Sequence, residues 1–162
     1  VFKLSREINQ YMHGYIVDRV SNQIKLQKRN MSIKPKVLIC GLAFKGNPET
    51  GDLRDSSSLE IYNMIKKTDI DVYGYDFVAD EKEIVSLGVK YHSIEKGIKG
   101  FDVLMFLNNH EMNIKLNFFD LIRQMNNFPI FFDGWSQFQK EEILKIRPCV
   151  YMNLSSTESS II

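Results

Sequence analysis

The chain has 162 residues and a net charge of +1, with 44% hydrophobic and 25% charged residues. Such a length suits one domain of ordinary size with a full core, and the near-neutral charge, with no basic run beyond the Lys25–Lys36 region, leaves no footprint for nucleic acid. No apolar run approaches the roughly twenty residues of a helical membrane span, and both cysteines, Cys40 and Cys149, lie in apolar strand-like runs, as expected of unpaired thiols buried in a protein of the reducing cytoplasm.

In chain order, residues 5–27 are expected to form a helix. Ile8, Met12, Tyr15, Ile16, Val20 and Ile24 recur at steps of three and four and define one apolar face. No N-terminal cap is recognisable, as though the chain starts partway into a larger architecture. Residues 27–34 are polar and basic and read as a linker.

The stretch from Lys36 to Ser58 carries the chemistry. Val37 to Cys40 reads as a strand buried on both faces. A loop follows with Gly41, Gly46, Gly51, Pro48, Lys45 and Arg54, and it leaves through Asp55, Ser56 and Ser57. Glu60 stands three residues after Ser57, the signature of a capping box at a helix start. Strand, glycine-bearing loop and capped helix open a βαβ unit, in which ligands bind outside the carboxyl ends of the strands. Two phosphate-binding motifs fail here. Gly41 and Gly46 have P-loop spacing, but Asn47 and Pro48 replace the lysine and hydroxyl. Gly41, Ala43 and Gly46 form only a degenerate dinucleotide fingerprint, with a methyl where the backbone should approach a pyrophosphate, so no NAD site is expected in this loop.

Beyond the loop, Leu59, Tyr62 and Ile65 stripe a crossover helix, and Val72 to Asp76 reads as a second strand. A helix is expected near residues 80–87, a short strand at Val89–Tyr91, and a short helix from Ile94 to Ile98. Asp102 to Leu107 is the most apolar strand, and a helix runs through Phe118, Leu121, Ile122 and Met125. Pro129–Asp133, a helix near residues 141–146 and Val150–Leu154 complete the alternation, and the serine-rich residues 155–162 read as a frayed tail. Strands alternating with helices predict an α/β class with a doubly wound, mostly parallel, Rossmann-like sheet preceded by an N-terminal helix. A phosphoacceptor receiver has the same alternation, but its acidic cluster is missing, since Cys40-Gly41 and Leu107-Asn108 occupy the strand ends. Three scattered histidines and two apolar-run cysteines give no metal-ligand spacing, and His13 and His92 read as surface residues.

Gly41-Leu-Ala-Phe-Lys45, then Thr50-Gly-Asp-Leu-Arg54 and Asp55-Ser-Ser57, resemble the signature that opens the C-terminal domain of the UDP-glucose/GDP-mannose dehydrogenase family. Asp102-Val-Leu, Asn109-His-Glu111 and Phe132-Asp-Gly134 resemble later parts of that domain, and Arg6, Asn9, Met12, Tyr15 and Val17 resemble the helix leading into it. Three departures stand out: His13 and Phe77 where the family often has proline, and Trp135 where many members place an arginine against the nucleotide sugar. The resemblance implies three regions: residues 1–30 as the end of a central, dimer-forming helical region, 31–154 as the UDP-binding α/β domain, and 155–162 as a flexible tail.

It also implies a function. Members oxidise a sugar primary alcohol to a carboxylate with NAD, through a covalent intermediate on a cysteine in a G-x-C-x-P-K-D-like segment. Neither Cys40 nor Cys149 has that context, so NAD and the nucleophile are expected in a region preceding this chain. The chain's own expected role is to hold a UDP-sugar or related nucleotide sugar, alongside the remainder of the dehydrogenase and in a homo-oligomer. The alternative is a stand-alone nucleotide-binding or assembly module without enzymatic role. Phe44, Lys45, Arg54, His110 and Trp135 are the candidate substrate-binding residues. Lys45 suits a phosphate oxygen, helped by nearby backbone N–H groups, although a solvated loop cation is its bland alternative. Phe44 either faces ligand or plugs the core edge. Arg54 is expected to pair with Asp52 or Asp55 and hold the loop against the sheet. His110 stands at a strand end near the switch point, where an exposed histidine is also common, and Trp135 offers an indole to stack on a base or sugar.

Overall fold

The structure, a computed structural model, describes residues 2–27 and 34–160. Most of the expected linker, residues 28–33, lies outside the described residues. The elements are α1 (Phe2–Gln27), β1 (Lys36–Cys40), α2 (Ser57–Lys66), β2 (Asp71–Tyr75), α3 (Glu81–Ser86), β3 (Val103–Phe106), α4 (Phe118–Gln124), β4 (Ile130–Asp133), α5 (Lys140–Ile146), β5 (Val150–Asn153) and β6 (Thr157–Ser159).

One six-stranded sheet has the order β2-β1-β3-β4-β5-β6. The first five strands are parallel and β6 is antiparallel to β5. The central strands β1, β3 and β4 are almost wholly apolar because side chains alternate faces and both faces are covered. Val37, Ile39, Val103, Met105, Ile130 and Phe132 join the core beneath α1 and α2. Leu38, Cys40, Leu104, Phe106, Phe131 and Tyr151 join the core beneath α4 and α5. The doubly wound α/β expectation therefore holds.

Local chemistry sets the helix starts. Ser56, rather than Ser57, caps α2: its Oγ accepts from Leu59 N at 3.4 Å and donates to the Leu42 carbonyl at 2.6 Å. The cap thus falls one residue earlier, which puts Leu59 rather than Glu60 at the third helical position, so the expected Ser57–Glu60 capping box does not form. Asp80 caps α3 through Lys82 N and Glu83 N. The expected strand at Val89–Tyr91 shrinks to one parallel bridge between Gly74 and Tyr91, and the expected helix at Ile94–Ile98 to a 3-10 turn at Ile94–Lys96. Ser93 accepts from Glu95 N and starts that turn, which ends the strand pairing. Gly97, at φ 81°, then closes the turn in a conformation that favours glycine.

Helix α1 departs from its expected face. Ile16, Val17, Val20 and Ile24 are buried on the sheet side, but Ile8 and Tyr15 are exposed. His13, expected at the surface, is buried, with Nδ1 2.8 Å from Glu60 Oε2 but without hydrogen-bond alignment. His92 is half-buried and its Nε2 contacts the Gly97 carbonyl at 2.7 Å. The first three turns of α1 thus turn polar side chains toward α2 and leave Leu4, Ile8 and Tyr11 exposed.

The segment expected as a frayed tail is tied down where the structure describes it. Arg19 of α1 donates to the Asn153 carbonyl, to the Ser156 carbonyl at 2.8 Å and to Thr157 Oγ1 at 2.8 Å. Asn153 Oδ1 accepts from Ser155 N at 3.0 Å and Ser156 N at 2.8 Å, forming the turn that brings β6 back onto β5. Hydrogen bonds from a charged donor contribute about 1.5–3 kcal/mol each when buried and less when partly wet. Arg19→Ala is therefore expected to cost about 1–3 kcal/mol in denaturant unfolding, and to raise amide exchange in residues 153–159 while the β1–β4 amides keep their protection.

Candidate functional site

The site forms at the carboxyl ends of the parallel strands, and the residues just there are acceptors. Asp76, after β2, takes Ala43 N at 2.8 Å on Oδ2, and Val78 N at 2.8 Å and Ala79 N at 3.0 Å on Oδ1. Asn108, after β3, takes His110 N at 3.2 Å on Oδ1, while its carbonyl takes Asn113 Nδ2 and Gln137 Nε2, both at 2.9 Å. Asp133, closing β4, takes Trp135 N, Gln137 N and Phe138 N at 3.2, 3.1 and 3.0 Å, plus the Tyr151 hydroxyl at 2.7 Å. That hydroxyl's pKa is raised, first by burial and then by donation to Asp133. All three acceptors are buried. These residues were not singled out as functional in the sequence; their signal was an Asp or Asn closing each apolar run.

The strand order reverses between β1 and β3, the switch point at which such sheets bind ligands. Here the two loops close on each other. A Cβ at Gly41 would collide with the Asn108 side chain, and one at Gly46 would overlap the His110 backbone. Both glycines are therefore required by the close contact between these two loops. Asn109 Oδ1 accepts from Gly46 N at 3.1 Å and Asn47 N at 3.0 Å. The two amides best placed to help a phosphate beside Lys45 are thus occupied, contrary to expectation. The same packing leaves no room for a dinucleotide pyrophosphate at Gly41 or Gly46, so these residues do not fit NAD.

His110 is buried rather than exposed, at 3% relative accessibility. Its Nδ1 accepts from Met112 N at 3.1 Å, which puts the proton on Nε2, and Nε2 donates to Glu49 Oε2 at 2.9 Å. The ring stacks on Phe77 at 5.3 Å. His110 thus joins the loops after β1, β2 and β3.

The other expected residues sit at the rim. Phe44 is 58% exposed, so it does not plug the core. With Asp52, Arg54 and Asp55 it lines a cavity of about 280 Å³. Lys45 follows it, half-buried. Trp135 is 54% exposed, on the loop after β4, with its indole N–H donated to the Leu107 carbonyl at 3.0 Å. The structure therefore brings Phe44 and Arg54 to one cavity with Lys45 next in the chain, sets His110 beneath that loop, and leaves Trp135 on another loop. A second, polar cavity of about 450 Å³ shares Asp55 and lies against Arg6, Asn9, Gln10 and His13 of α1. Cys40 is fully buried, and burial first, then the charge of Asp76, push its thiol well above the ordinary value. Burial likewise raises Cys149. Neither has the low-pKa environment of a nucleophile.

A doubly wound sheet of this order, with a polar, lysine-bearing loop at its switch point, is an α/β domain of the kind that takes its ligands at that end of the sheet. The family model described as the UDP binding domain of the UDP-glucose/GDP-mannose dehydrogenase family matches residues 38–140, and the chain belongs to that family. It is 32% identical over 107 residues to a UDP-N-acetyl-D-mannosamine dehydrogenase of Methanococcus vannielii, covering 65% of this chain and 22% of that protein. It is 26% identical over 142 residues to the UDP-glucose 6-dehydrogenase YwqF of Bacillus subtilis, covering 85% and 30%. The solved UDP-N-acetyl-mannosamine dehydrogenase Cap5O of S. aureus superposes with a TM-score of 0.66 at 25% identity, over 92% of this chain and 31% of that one. A UDP-glucose dehydrogenase of Pyrobaculum islandicum shares the fold, with a TM-score of 0.66 at 22% identity over 94% and 32%. The chain spans under a third of the length of these relatives.

Arg54 pairs with Asp52 as expected, through Nε at 2.9 Å and Nη2 at 2.8 Å. The Arg54 side chain is 88% exposed, however, so the pair does not clamp the loop to the sheet. The hydrogen bonds from Arg54 hold the Asp52 carboxyl down to about 2, from an ordinary value of 3.8. A carboxyl depressed in the fold stabilises it above its ordinary pKa, and that contribution is lost as pH falls from 3.8 toward 2. An NMR titration should show Asp52 ionising near 2, and Arg54→Ala should return it toward its ordinary value. Because the pair is exposed and screened, Arg54→Ala should lower the melting temperature only modestly at neutral pH, and the difference from wild type should vanish as pH falls toward 2.

Proposed function

We propose that this chain is the nucleotide-holding part of an NAD-dependent UDP-sugar 6-dehydrogenase, which oxidises a sugar primary alcohol to a uronate. The observation that carries this reading is the loop from Phe44 to Arg54. It carries an exposed aromatic ring and an arginine that line a cavity in the loop after β1, with a lysine next to that ring in the chain, in a chain of this family. Phe44 would meet the base or ribose, Lys45 a phosphate oxygen as a point charge, and Trp135 the sugar side of the ligand. His110 supports the loop from below. NAD would be held by other parts of the full enzyme, since Gly41 and Gly46 are filled by this chain's own atoms. Binding the nucleotide handle here would position the sugar at chemistry located elsewhere, so that remote binding energy is used for orientation.

A charge-assisted contact contributes roughly 1.5–3 kcal/mol, so Lys45→Ala should weaken UDP binding about ten- to hundredfold in a calorimetric titration. Added salt should weaken the wild type more than the variant, because the lost contact is a screened ion pair. Equal affinities for wild type and Lys45→Ala would remove Lys45 from the site.

The same reading makes residues 1–30 the end of a helical region that pairs between copies, with 31–154 as the UDP-binding domain. Its support is the exposed stripe of Leu4, Ile8, Tyr11 and Tyr15, one face over three turns of α1. Sedimentation at high concentration should show self-association that Ile8→Glu with Tyr11→Glu abolishes. A strictly monomeric wild type with α1 intact would overturn the pairing.

A further inference from the structure

We infer that Asn109 is a positioning residue for Lys45: the Asn109 side chain occupies the two backbone N–H groups that follow Lys45 and thereby sets the ammonium for the phosphate. This rests on the reading of Lys45 as the phosphate contact. Loop geometry argues for it. Gly46 N and Asn47 N converge on the single Asn109 Oδ1, at 3.1 and 3.0 Å. Two successive amides around one oxygen form a concavity that elsewhere cradles an anion. Here a neutral carboxamide from the loop after β3 fills it, which removes the amides from ligand binding and uses them as an anchor.

The anchor has little slack. Gly46 lies against the His110 backbone, with no room for a Cβ. Glu49, three residues beyond Gly46, accepts the hydrogen bond from His110 Nε2. Before Lys45, Phe44 N donates to the Asp52 carbonyl at 2.8 Å, and Ala43 N to Asp76 at 2.8 Å. The backbone is therefore held on both sides of Lys45, and Asn109 supplies the hold nearest on its C-terminal side. Without it, Gly46 and Asn47 must turn to water and the lysine samples more of the loop, so ordering it on binding costs more conformational entropy.

The test combines amide exchange with a double-mutant cycle on the full 162-residue chain, using UDP as the probe. Asn109→Ala should accelerate exchange at Gly46 and Asn47, and Asn109→Asp, which keeps an acceptor, should restore protection. Asn109→Ala should weaken UDP about five- to tenfold in the wild-type background and leave the affinity of Lys45→Ala unchanged, since the effect passes through the lysine. Unchanged exchange at Gly46 and Asn47 in Asn109→Ala would overturn the inference. So would wild-type UDP affinity in Asn109→Ala, or an equal further loss in the Lys45→Ala background, which would mark direct contact or general damage. Equal UDP binding by wild type and Lys45→Ala would bring down the reading of Lys45 and this inference with it. That failure is recognisable because the exchange effect of Asn109→Ala would persist.

Discussion

Burying a parallel sheet on both faces leaves the chain one way out of each strand: through a loop whose backbone N–H groups must find acceptors before they reach water. In this protein the acceptors are side chains at the strand ends. Asp133 is the fullest case, wholly buried and accepting three backbone amides and one hydroxyl. Asp76 does the same for the loop after β2 while reaching across to Ala43. A buried carboxylate without such partners would be very costly, so the loops and these acceptors determine each other.

The candidate site inherits its shape from that arrangement. Asp76 fixes the first residues after β1, and Asn109 and His110 fix the middle of the same loop from the other side of the switch point. What remains free is the rim, where Phe44 is exposed and Arg54 is held by Asp52 in water. A rigid base under an accessible rim is what the proposed recognition of a nucleotide handle would need. The thiols are consistent with that, both being raised in pKa by burial.

Helix α1 shows a different constraint. Its C-terminal half packs on the sheet through Ile16, Val17, Val20 and Ile24. Its N-terminal half is inverted, with buried His13 turned toward Glu60 and an apolar stripe facing outward. The proposed pairing of α1 between copies would cover that outward stripe.

Much was legible in the amino-acid order. The apolar runs at 37–40, 103–106 and 130–132 and the helical periodicities between them determined the α/β alternation, because burial on both faces demands continuous apolar strands. The Gly41–Lys45 and Thr50–Ser57 segments determined the family, because their spacing carries a specific loop. Tertiary structure alone decided which face of α1 is inward, since periodicity reports an apolar stripe but not what it meets. It alone tied residues 157–159 into β6, through Arg19 from 138 residues away. It also turned His110 from an exposed strand-end residue into a buried link, and made Asn109 the holder of Gly46 and Asn47. Those contacts join loops about sixty residues apart, at separations of 62 and 63. Such pairings follow from strand order, which places β3 beside β1, and no local pattern encodes it.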